Sequence, residues 1–186
     1  MKQILTFLIV GGVLWYGFSQ VTQQVAEPTV RGISSQPDLT IDGVPVTDVF
    51  AFSNASVLDG DSVRLEVDEQ QIDIRLASID APELQQPFGS EAGQNLQRLI
   101  GSNEIIAWEI GLDQYGRHLA HLFIEQPDGQ LFEINSQMIR DGYAWHYRQH
   151  SDNPILDSLE ATARSSRLGL WNDFQAPVPP WEFRQQ

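Results

Sequence analysis

The feature that most constrains the fold of this chain is a pair of alternating segments joined by three polar residues. Residues 62–67 alternate polar and apolar side chains, and residues 71–76 do the same after the connection at residues 68–70. Alternation with a period of two is typical of strands that bury one face. Because the connection is so short, we expect the two strands to pair as an antiparallel hairpin.

The segments after this hairpin predict further strands and a few helices. Strands are expected at residues 104–110 and 118–125, and helices at residues 91–100, 134–140 and 154–167. The apolar spacing of the last helix predicts a buried face formed by Ile155, Leu156, Leu159 and Ala163. Short strands with few helices indicate a mainly β domain of the α+β class, built around a small barrel.

Composition limits both the organisation of the chain and its chemistry. With 186 residues, 41% hydrophobic and 19% charged, the chain suits one compact domain with extensions. It contains no cysteine, which excludes a disulfide scaffold, a thiolate metal site and a cysteine nucleophile. The net charge of −14 argues against a wide basic surface for nucleic acid. Because Lys2 is the only lysine, phosphate contacts in the folded part depend on arginine.

The N-terminal segment is apolar and lacks charge. Lys2 precedes it, and no charged residue occurs at residues 3–26. This pattern is typical of an export signal or a membrane anchor, with a buried core helix as the alternative. Because no clear small-residue cleavage site follows, we favour an uncleaved anchor. Residues 1–26 are thus expected to be a signal peptide or membrane anchor, residues 27–50 a proline-containing spacer, and residues 51–186 a domain outside the cytoplasm.

Three polar segments contain the residue types that phosphodiester hydrolysis needs. They are residues 57–62, 75–83 and 113–117. Asp61 and Asp80 offer oxygen ligands for a hard divalent cation. Glu83 can accept a proton from water. Arg75 and Arg117 offer planar guanidinium groups for a phosphate. Each motif alone has an ordinary structural interpretation: residues 59–61 and 113–117 as turns, and residues 80–83 as a strand end and a helix start. The prediction therefore rests on their order and spacing.

That order and spacing resemble the staphylococcal-nuclease-like (thermonuclease) family over most of the chain, from about Ser56 to Arg184. The resemblance implies an OB-fold, a five-stranded barrel with about three helices. It also implies Ca²⁺ as cofactor, bound by Asp61, Asp80 and the backbone carbonyl of Ala81. The family often has threonine where Ala81 stands, but a carbonyl ligand does not require that side chain.

The same resemblance assigns the catalytic and substrate-binding roles. It implies Glu83 as general base, Arg75 and Arg117 as the catalytic pair on the phosphate, and Tyr115 beside the nucleotide's phosphate. The implied function is an exported Ca²⁺-dependent nuclease, an endonuclease that hydrolyses DNA and RNA and leaves 3′-phosphate ends. We expect a monomer whose N-terminal segment contacts the membrane. We also expect the site side chains to line a cleft, so that the fold tolerates their replacement.

A non-catalytic module of the same fold, tethered to the membrane and binding nucleic acid or protein, is the alternative function. A pure binder on so acidic a chain has no reason to keep Asp61, Arg75, Asp80, Glu83 and Arg117 together, which favours the enzyme.

Other polar and aromatic residues are interpreted as structural. His146 and His150 could chelate a transition metal, but the sequence offers no third ligand beside them. Trp145 and Tyr147 either cover the core or stack on bases. Residues 177–183 are expected to pack as a tail on the domain through Trp181.

Overall fold

The computed structural model describes residues 49–67, 70–172 and 177–186. It gives backbone pairing alone for five strand segments before residue 49 and for residues 66, 67 and 70. The early segments are β1 (Leu5–Val10), β2 (Val13–Phe18), β3 (Arg31–Gly32), β4 (Thr40–Ile41) and β5 (Val44–Pro45). β1 pairs with β2, and β4 pairs with β5, both antiparallel.

The N-terminal predictions fall largely outside this description. Residues 19–26 of the expected signal peptide or anchor, most of the spacer, and the hairpin residues 68–69 lie outside the described residues. Within the described part of the chain, none of the helices combines the length and apolar composition needed to cross a membrane.

The domain that follows contains nine strands, four α-helices and one 3-10 helix in the described residues. The strands are β6 (Val49–Phe52), β7 (Ser56–Val57), β8 (Ser62–Val67), β9 (Gln70–Leu76), β10 (Ile79–Asp80), β11 (Ile105–Leu112), β12 (His118–Glu125), β13 (Leu131–Glu133) and β14 (Trp145–His146). The helices are α1 (Gly89–Ile100), α2 (Ile134–Arg140), α3 (Pro154–Ser165), the 3-10 helix (Gly169–Asn172) and α4 (Pro180–Phe183).

Most of these strands form one mixed sheet. Its order is β3-β6-β11-β12-β9-β8-β7, and β13 pairs with β12. β6 pairs with β11 and β7 pairs with β8, and residues 53–55 alone separate β6 from β7. The segment of β6 and β7 therefore pairs with β11 at one end of this order and with β8 at the other. Counted as one bent strand, it forms the five strands of an OB-fold together with β8, β9, β12 and β11. The predicted α+β class and OB-fold are confirmed, with a short fourth helix beyond the expected three.

The predicted hairpin is confirmed, and its alternation builds the core. β8 and β9 pair antiparallel with Val63 opposite Ile74. Val63 and Leu65 of β8 and Ile74 and Leu76 of β9 are buried in one cluster with residues of α1 and α2. Its fully buried members include Val63, Leu65, Ile74, Leu76, Leu96, Ala107, Ala120, Leu122, Ile134, Met138 and Ile139. Helix α1 ends at Gly101, whose φ of 57° lies in the left-handed region, as expected for a glycine at a helix end.

The predicted buried face of α3 is wrong at one position. Leu156 and Ala163 are buried, but Ile155 is exposed and Glu160 is buried instead. The Glu160 carboxylate accepts hydrogen bonds from the His146 backbone N–H at 2.8 Å and from Arg164 Nε at 2.8 Å. These partners compensate its burial, so the helix turns Glu160 toward β14 and leaves Ile155 in solvent.

Candidate active site

The hairpin of β8 and β9 places the first carboxylate beside the first arginine. Ser62, the first residue of β8, pairs with Arg75 near the end of β9. The backbone carbonyl of Asp61 accepts a hydrogen bond from the Leu76 N–H at 2.8 Å. Asp61 is thereby fixed at the strand end that faces the loop after β10.

A glycine allows the two loops of the site to touch. A Cβ atom on Gly60 would lie 2.6 Å from the Cβ of Ala81 and 2.7 Å from the Cβ of Ala92. With that approach available, Asp61 Oδ2 accepts a hydrogen bond of 2.6 Å from the backbone N–H of Ala81. The Asp59 carboxylate supports the same turn by accepting from the Asp61 N–H at 3.0 Å.

Arg75 joins the two candidate metal carboxylates. Its Nη2 atom lies 3.0 Å from Asp61 Oδ2 and 2.9 Å from Asp80 Oδ1. Its Nη1 atom donates to the Leu76 carbonyl at 2.6 Å. Arg75 is 9% exposed and Asp80 is 1% exposed. These two side chains are therefore buried, whereas the sequence led us to expect them in an open cleft. Their burial is possible because each charge is compensated by an ion pair.

Burial also changes the acid–base behaviour of Asp61. Loss of solvent raises the pKa of this carboxyl from 3.8 to about 7, against the opposing effect of the nearby Arg75 guanidinium. The neighbouring charges of Asp59 and Asp80 raise the pKa further. A divalent cation beside Asp61 would favour the ionised carboxylate, so it must displace the proton that burial favours.

Glu83 lies at the edge of the same cluster, where the chain leaves β10. Gln86 fixes the loop, because Gln86 Oε1 accepts from the Glu83 backbone N–H at 2.8 Å. The Glu83 side chain keeps 33% of its surface exposed. Of the three acidic side chains in the cluster, Glu83 is thus the one that water reaches most easily.

Arg184 is a site residue that sequence reasoning did not identify. Its Nη2 atom lies 2.8 Å from Asp80 Oδ2, and its Nη1 atom lies 3.2 Å from Asp80 Oδ1 and 2.8 Å from Glu83 Oε1. The hydrogen bond with Asp80 raises the pKa of Arg184. The sequence feature that could have identified Arg184 is its position after the aromatic residues of the tail, in a chain with only 11 lysine and arginine residues.

Arg117 and Tyr115 lie in the turn between β11 and β12. Asp113 organises this turn by accepting hydrogen bonds from the Tyr115 N–H, the Arg117 N–H and Arg117 Nε at 2.8, 2.9 and 2.7 Å. Burial opposes ionisation of Asp113, but these hydrogen bonds outweigh it and lower the pKa of the carboxyl. The Tyr115 ring is exposed, with the Arg117 guanidinium 5.7 Å from its centroid.

The sheet relates this turn to the carboxylate cluster. β9 and β12 pair in parallel, with Arg75 opposite Leu119. Arg117 directly precedes β12, so the turn adjoins the part of β9 that contains Arg75. The structure thus brings Asp61, Arg75, Asp80, Ala81 and Glu83 into one cluster, and places Arg117 and Tyr115 in the neighbouring turn. In the described residues, Arg117 pairs with Asp113 and not with the cluster.

The donor set of the cluster fits a hard cation. Asp61 Oδ2 and Asp80 Oδ1 converge on a single nitrogen of Arg75, so this point already attracts positive charge. The described residues contain no group of three or more His, Cys, Asp and Glu side chains able to hold a metal. Two carboxylates therefore need completion by carbonyl and water oxygens, a ligand set that Ca²⁺ accepts and soft transition metals do not favour.

The histidines and aromatic residues near β14 have structural partners. His146 is buried and its Nδ1 atom lies 2.8 Å from Asp157 Oδ1. The ring of His150 packs on Tyr147. Trp145 is buried against Trp171, with ring centroids 5.3 Å apart. Trp145 and His146 thus belong to the interior, and base stacking by Trp145 is excluded.

Comparison with known proteins agrees with this geometry. The family model described as staphylococcal nuclease homologue matches residues 73–173. A micrococcal nuclease of Shigella flexneri is 39% identical over 148 residues, covering 76% of this chain and 84% of that protein. An uncharacterized endonuclease of Escherichia coli O157:H7 is 36% identical over 130 residues, covering 70% of this chain and 82% of that protein. The chain therefore belongs to the staphylococcal nuclease family.

Proposed function

We propose that this chain is an exported, Ca²⁺-dependent nuclease that hydrolyses phosphodiester bonds in DNA and RNA and leaves 3′-phosphate ends. The observation that carries the proposal is the double contact of Arg75 Nη2, at 3.0 Å from Asp61 and 2.9 Å from Asp80. It gathers a phosphate-binding group and two oxygen ligands at one point. The names of the relatives, a micrococcal nuclease and endonucleases, support the reaction class.

Asp61, Asp80 and the Ala81 carbonyl are the residues that would hold Ca²⁺. When bound, the cation offsets the negative charge that builds on the phosphate oxygens during attack. The hydrogen bond from the Ala81 N–H to the Asp61 carboxylate keeps the two loops together, so the ligands are positioned before binding.

Glu83 is the proposed general base. Its carboxylate lies beside Asp80, because both accept hydrogen bonds from Arg184. Its partial exposure lets a water molecule approach, and an ionised carboxylate takes the proton as that water attacks phosphorus.

Arg75 and Arg117 are the proposed phosphate ligands. Arg75 lies in β9, and Arg117 directly precedes β12, which pairs with β9. Guanidinium groups placed before the reaction stabilise the charge of the pentacoordinate transition state without reorganising solvent. Tyr115, exposed next to Arg117, is the proposed contact with the nucleotide's phosphate.

The proposed location is outside the cytoplasm, with the uncharged residues 3–26 as a membrane anchor. Mass spectrometry of the mature N-terminus tests this proposal. An intact N-terminus in the membrane fraction agrees with an anchor, whereas a new N-terminus near Gln20 or Glu27 indicates a cleaved signal. A monomer is proposed because one copy of the chain supplies every residue of the site.

A cleavage assay tests the reaction and its cofactor together. The purified chain is incubated with single-stranded DNA, double-stranded DNA and RNA, in Ca²⁺, in Zn²⁺ and in a chelator, with Asp80→Asn as the inactive control. We expect Ca²⁺-dependent cleavage by the wild type and 3′-phosphate product ends. Full activity in chelator, or activity with Zn²⁺ alone, contradicts the metal assignment. Binding without cleavage under all conditions supports the non-catalytic alternative.

A further inference from the structure

The C-terminal tail places a second guanidinium on the carboxylate cluster. Arg184 contacts both oxygens of Asp80, at 3.2 and 2.8 Å, and Glu83 Oε1 at 2.8 Å. Its partners precede it by 104 and 101 residues. Arg184 also lies beyond residues 73–173, the part of the chain that the family model matches. The contact therefore joins the tail to two carboxylates of the matched part of the chain.

Three contacts fix the tail in this position. The Trp181 ring stacks on Tyr147 with centroids 5.7 Å apart and an interplanar angle of 13°. The same ring meets Trp145 edge-on at 6.3 Å. Upstream, Gln86 Nε2 donates to the Val178 carbonyl at 3.1 Å. Because Trp145 pairs with Asp80 in the β10–β14 ladder, the surface that binds Trp181 also presents Asp80 to Arg184.

Arg184 uses the same carboxylate oxygens that a cation needs. Asp80 is 1% exposed, and its Oδ1 and Oδ2 atoms both accept hydrogen bonds from Arg184. A Ca²⁺ ion needs an oxygen ligand at about 2.3–2.6 Å. A guanidinium held on that carboxylate repels the divalent ion at this short range, in a site largely shielded from solvent.

The two arginines of the cluster differ in their freedom to move. Arg75 is buried between Asp61 and Asp80, so its displacement would leave buried carboxylate charge without this partner. The Arg184 side chain is 42% exposed, so it can turn into solvent at little cost. Exchange of a cation for Arg184 leaves Arg75 in place and keeps the carboxylates neutralised.

We propose that Arg184 competes with the cation for Asp80 and Glu83 and thereby sets the Ca²⁺ concentration at which the site fills. Without Ca²⁺, the arginine holds the two carboxylates together. With Ca²⁺, the guanidinium leaves Asp80. This inference rests on the proposed Ca²⁺ site at Asp61 and Asp80. Because arginine and cation compete for one carboxylate and their coupling is reciprocal, weakening the tail contact must strengthen Ca²⁺ binding, by at most the same factor.

Calorimetric titration of the full chain with Ca²⁺ tests the competition without measuring activity. The variants are Arg184→Gln, Arg184→Lys and the control Arg140→Gln, which removes the same charge from an exposed position on α2. We expect Arg184→Gln to bind Ca²⁺ about 10-fold more tightly or better, and Arg140→Gln to match the wild type within about twofold. Arg184→Lys should fall between them, because one ammonium cannot reproduce the bidentate contact.

Thermal unfolding gives a second measurement of the same exchange. In chelator, Arg184→Gln should unfold at a lower temperature than the wild type, because a clamp on Asp80 and Glu83 is lost. Saturating Ca²⁺ should raise its unfolding temperature by more than it raises that of the wild type.

Two results overturn the proposal in distinguishable ways. If Arg184→Gln binds Ca²⁺ as the wild type does, or more weakly, the competition is absent while the Ca²⁺ site itself stands. If neither the wild type nor any variant binds Ca²⁺, the Ca²⁺ assignment fails together with the competition.

Discussion

The backbone N–H of Ala81 donates a hydrogen bond of 2.6 Å to Oδ2 of Asp61, and this contact joins the two loops that carry the candidate metal ligands. The approach depends on Gly60, where a Cβ atom would overlap the Cβ atoms of Ala81 and Ala92. Neither obstacle can rotate away, because both are Cβ atoms fixed to backbone.

We therefore expect Gly60→Ala to lower the free energy of unfolding by about 1–3 kcal/mol, the usual cost of overpacking. It should also weaken Ca²⁺ binding, because Asp61 follows the displaced residue directly. Gly93→Ala on α1 is the matched control, since its added Cβ would come no closer than 3.6 Å to Asp59. Urea unfolding and Ca²⁺ titration measure both effects. Equal behaviour of the two variants would show that the loops do not need this close approach.

Asp61 should make the stability of the Ca²⁺-free protein depend on pH. Burial raises its pKa from 3.8 to about 7, so the folded state keeps a proton that the unfolded chain loses between these values. The stabilising contribution of the protonated carboxyl is fully present below about pH 4 and is lost as the pH rises through about 7.

Asp61→Asn isolates this effect, because the other titrating groups are common to both proteins. In chelator, the variant should gain stability relative to the wild type by at most about 1.4 kcal/mol for each pH unit between about 4 and 7. Denaturant unfolding across this range measures the difference. Stability curves that run parallel from pH 4 to 8 would contradict the raised pKa.

The two candidate phosphate-binding arginines should differ in their effect on stability. Arg75→Ala leaves Asp61 and Asp80 buried without their shared partner, which should cost about 3–5 kcal/mol. Arg117→Ala removes a partly exposed ion pair with Asp113 and should cost no more than about 1 kcal/mol. Each variant should reduce turnover by at least about 10²-fold. Urea unfolding and cleavage rates separate the two effects, and a fully stable Arg75→Ala protein would contradict the buried bridge.

The acidity of the chain predicts an unusual salt response. A net charge of −14 repels nucleic acid at long range, while few arginines are available to release counterions on binding. Added salt screens the repulsion, over a Debye length of about 8 Å at physiological ionic strength. We expect moderate salt to raise the cleavage rate or leave it nearly unchanged at saturating Ca²⁺. A steep fall from low salt upward would reveal a broad basic binding surface.

The sequence predicted those features that local pattern determines. The period-two alternation of residues 62–67 and 71–76 located the hairpin, and Gly101 marked the end of α1. The family resemblance identified a set of residues that the structure brings into one cluster: Asp61, Arg75, Asp80, Ala81 and Glu83. They lie within 23 residues of one another in the sequence, so a short motif contains them all. The expected packing of the tail through Trp181 is confirmed by its contacts with Trp145 and Tyr147.

Features that depend on distant partners were not predictable in this way. The burial of Glu160, and hence the exposure of Ile155, depends on hydrogen bonds from β14 that no helical periodicity contains. The burial of Arg75 depends on two carboxylates that fold around it. Arg184 reaches Asp80 only because Trp181 docks on a surface formed much earlier in the chain.

The cleavage rate of Glu83→Gln at saturating Ca²⁺ tests most directly whether this cluster is a catalytic site. Glutamine keeps the size of the side chain and an oxygen that can accept from Arg184, but it cannot take a proton from water. Glu91→Gln, which removes a carboxylate from the exposed surface of α1, is the matched control. We predict that Glu83→Gln lowers turnover by about 10²–10⁴-fold while Glu91→Gln cleaves as the wild type does. A folded Glu83→Gln protein that cleaves at the wild-type rate would contradict the assignment of this site.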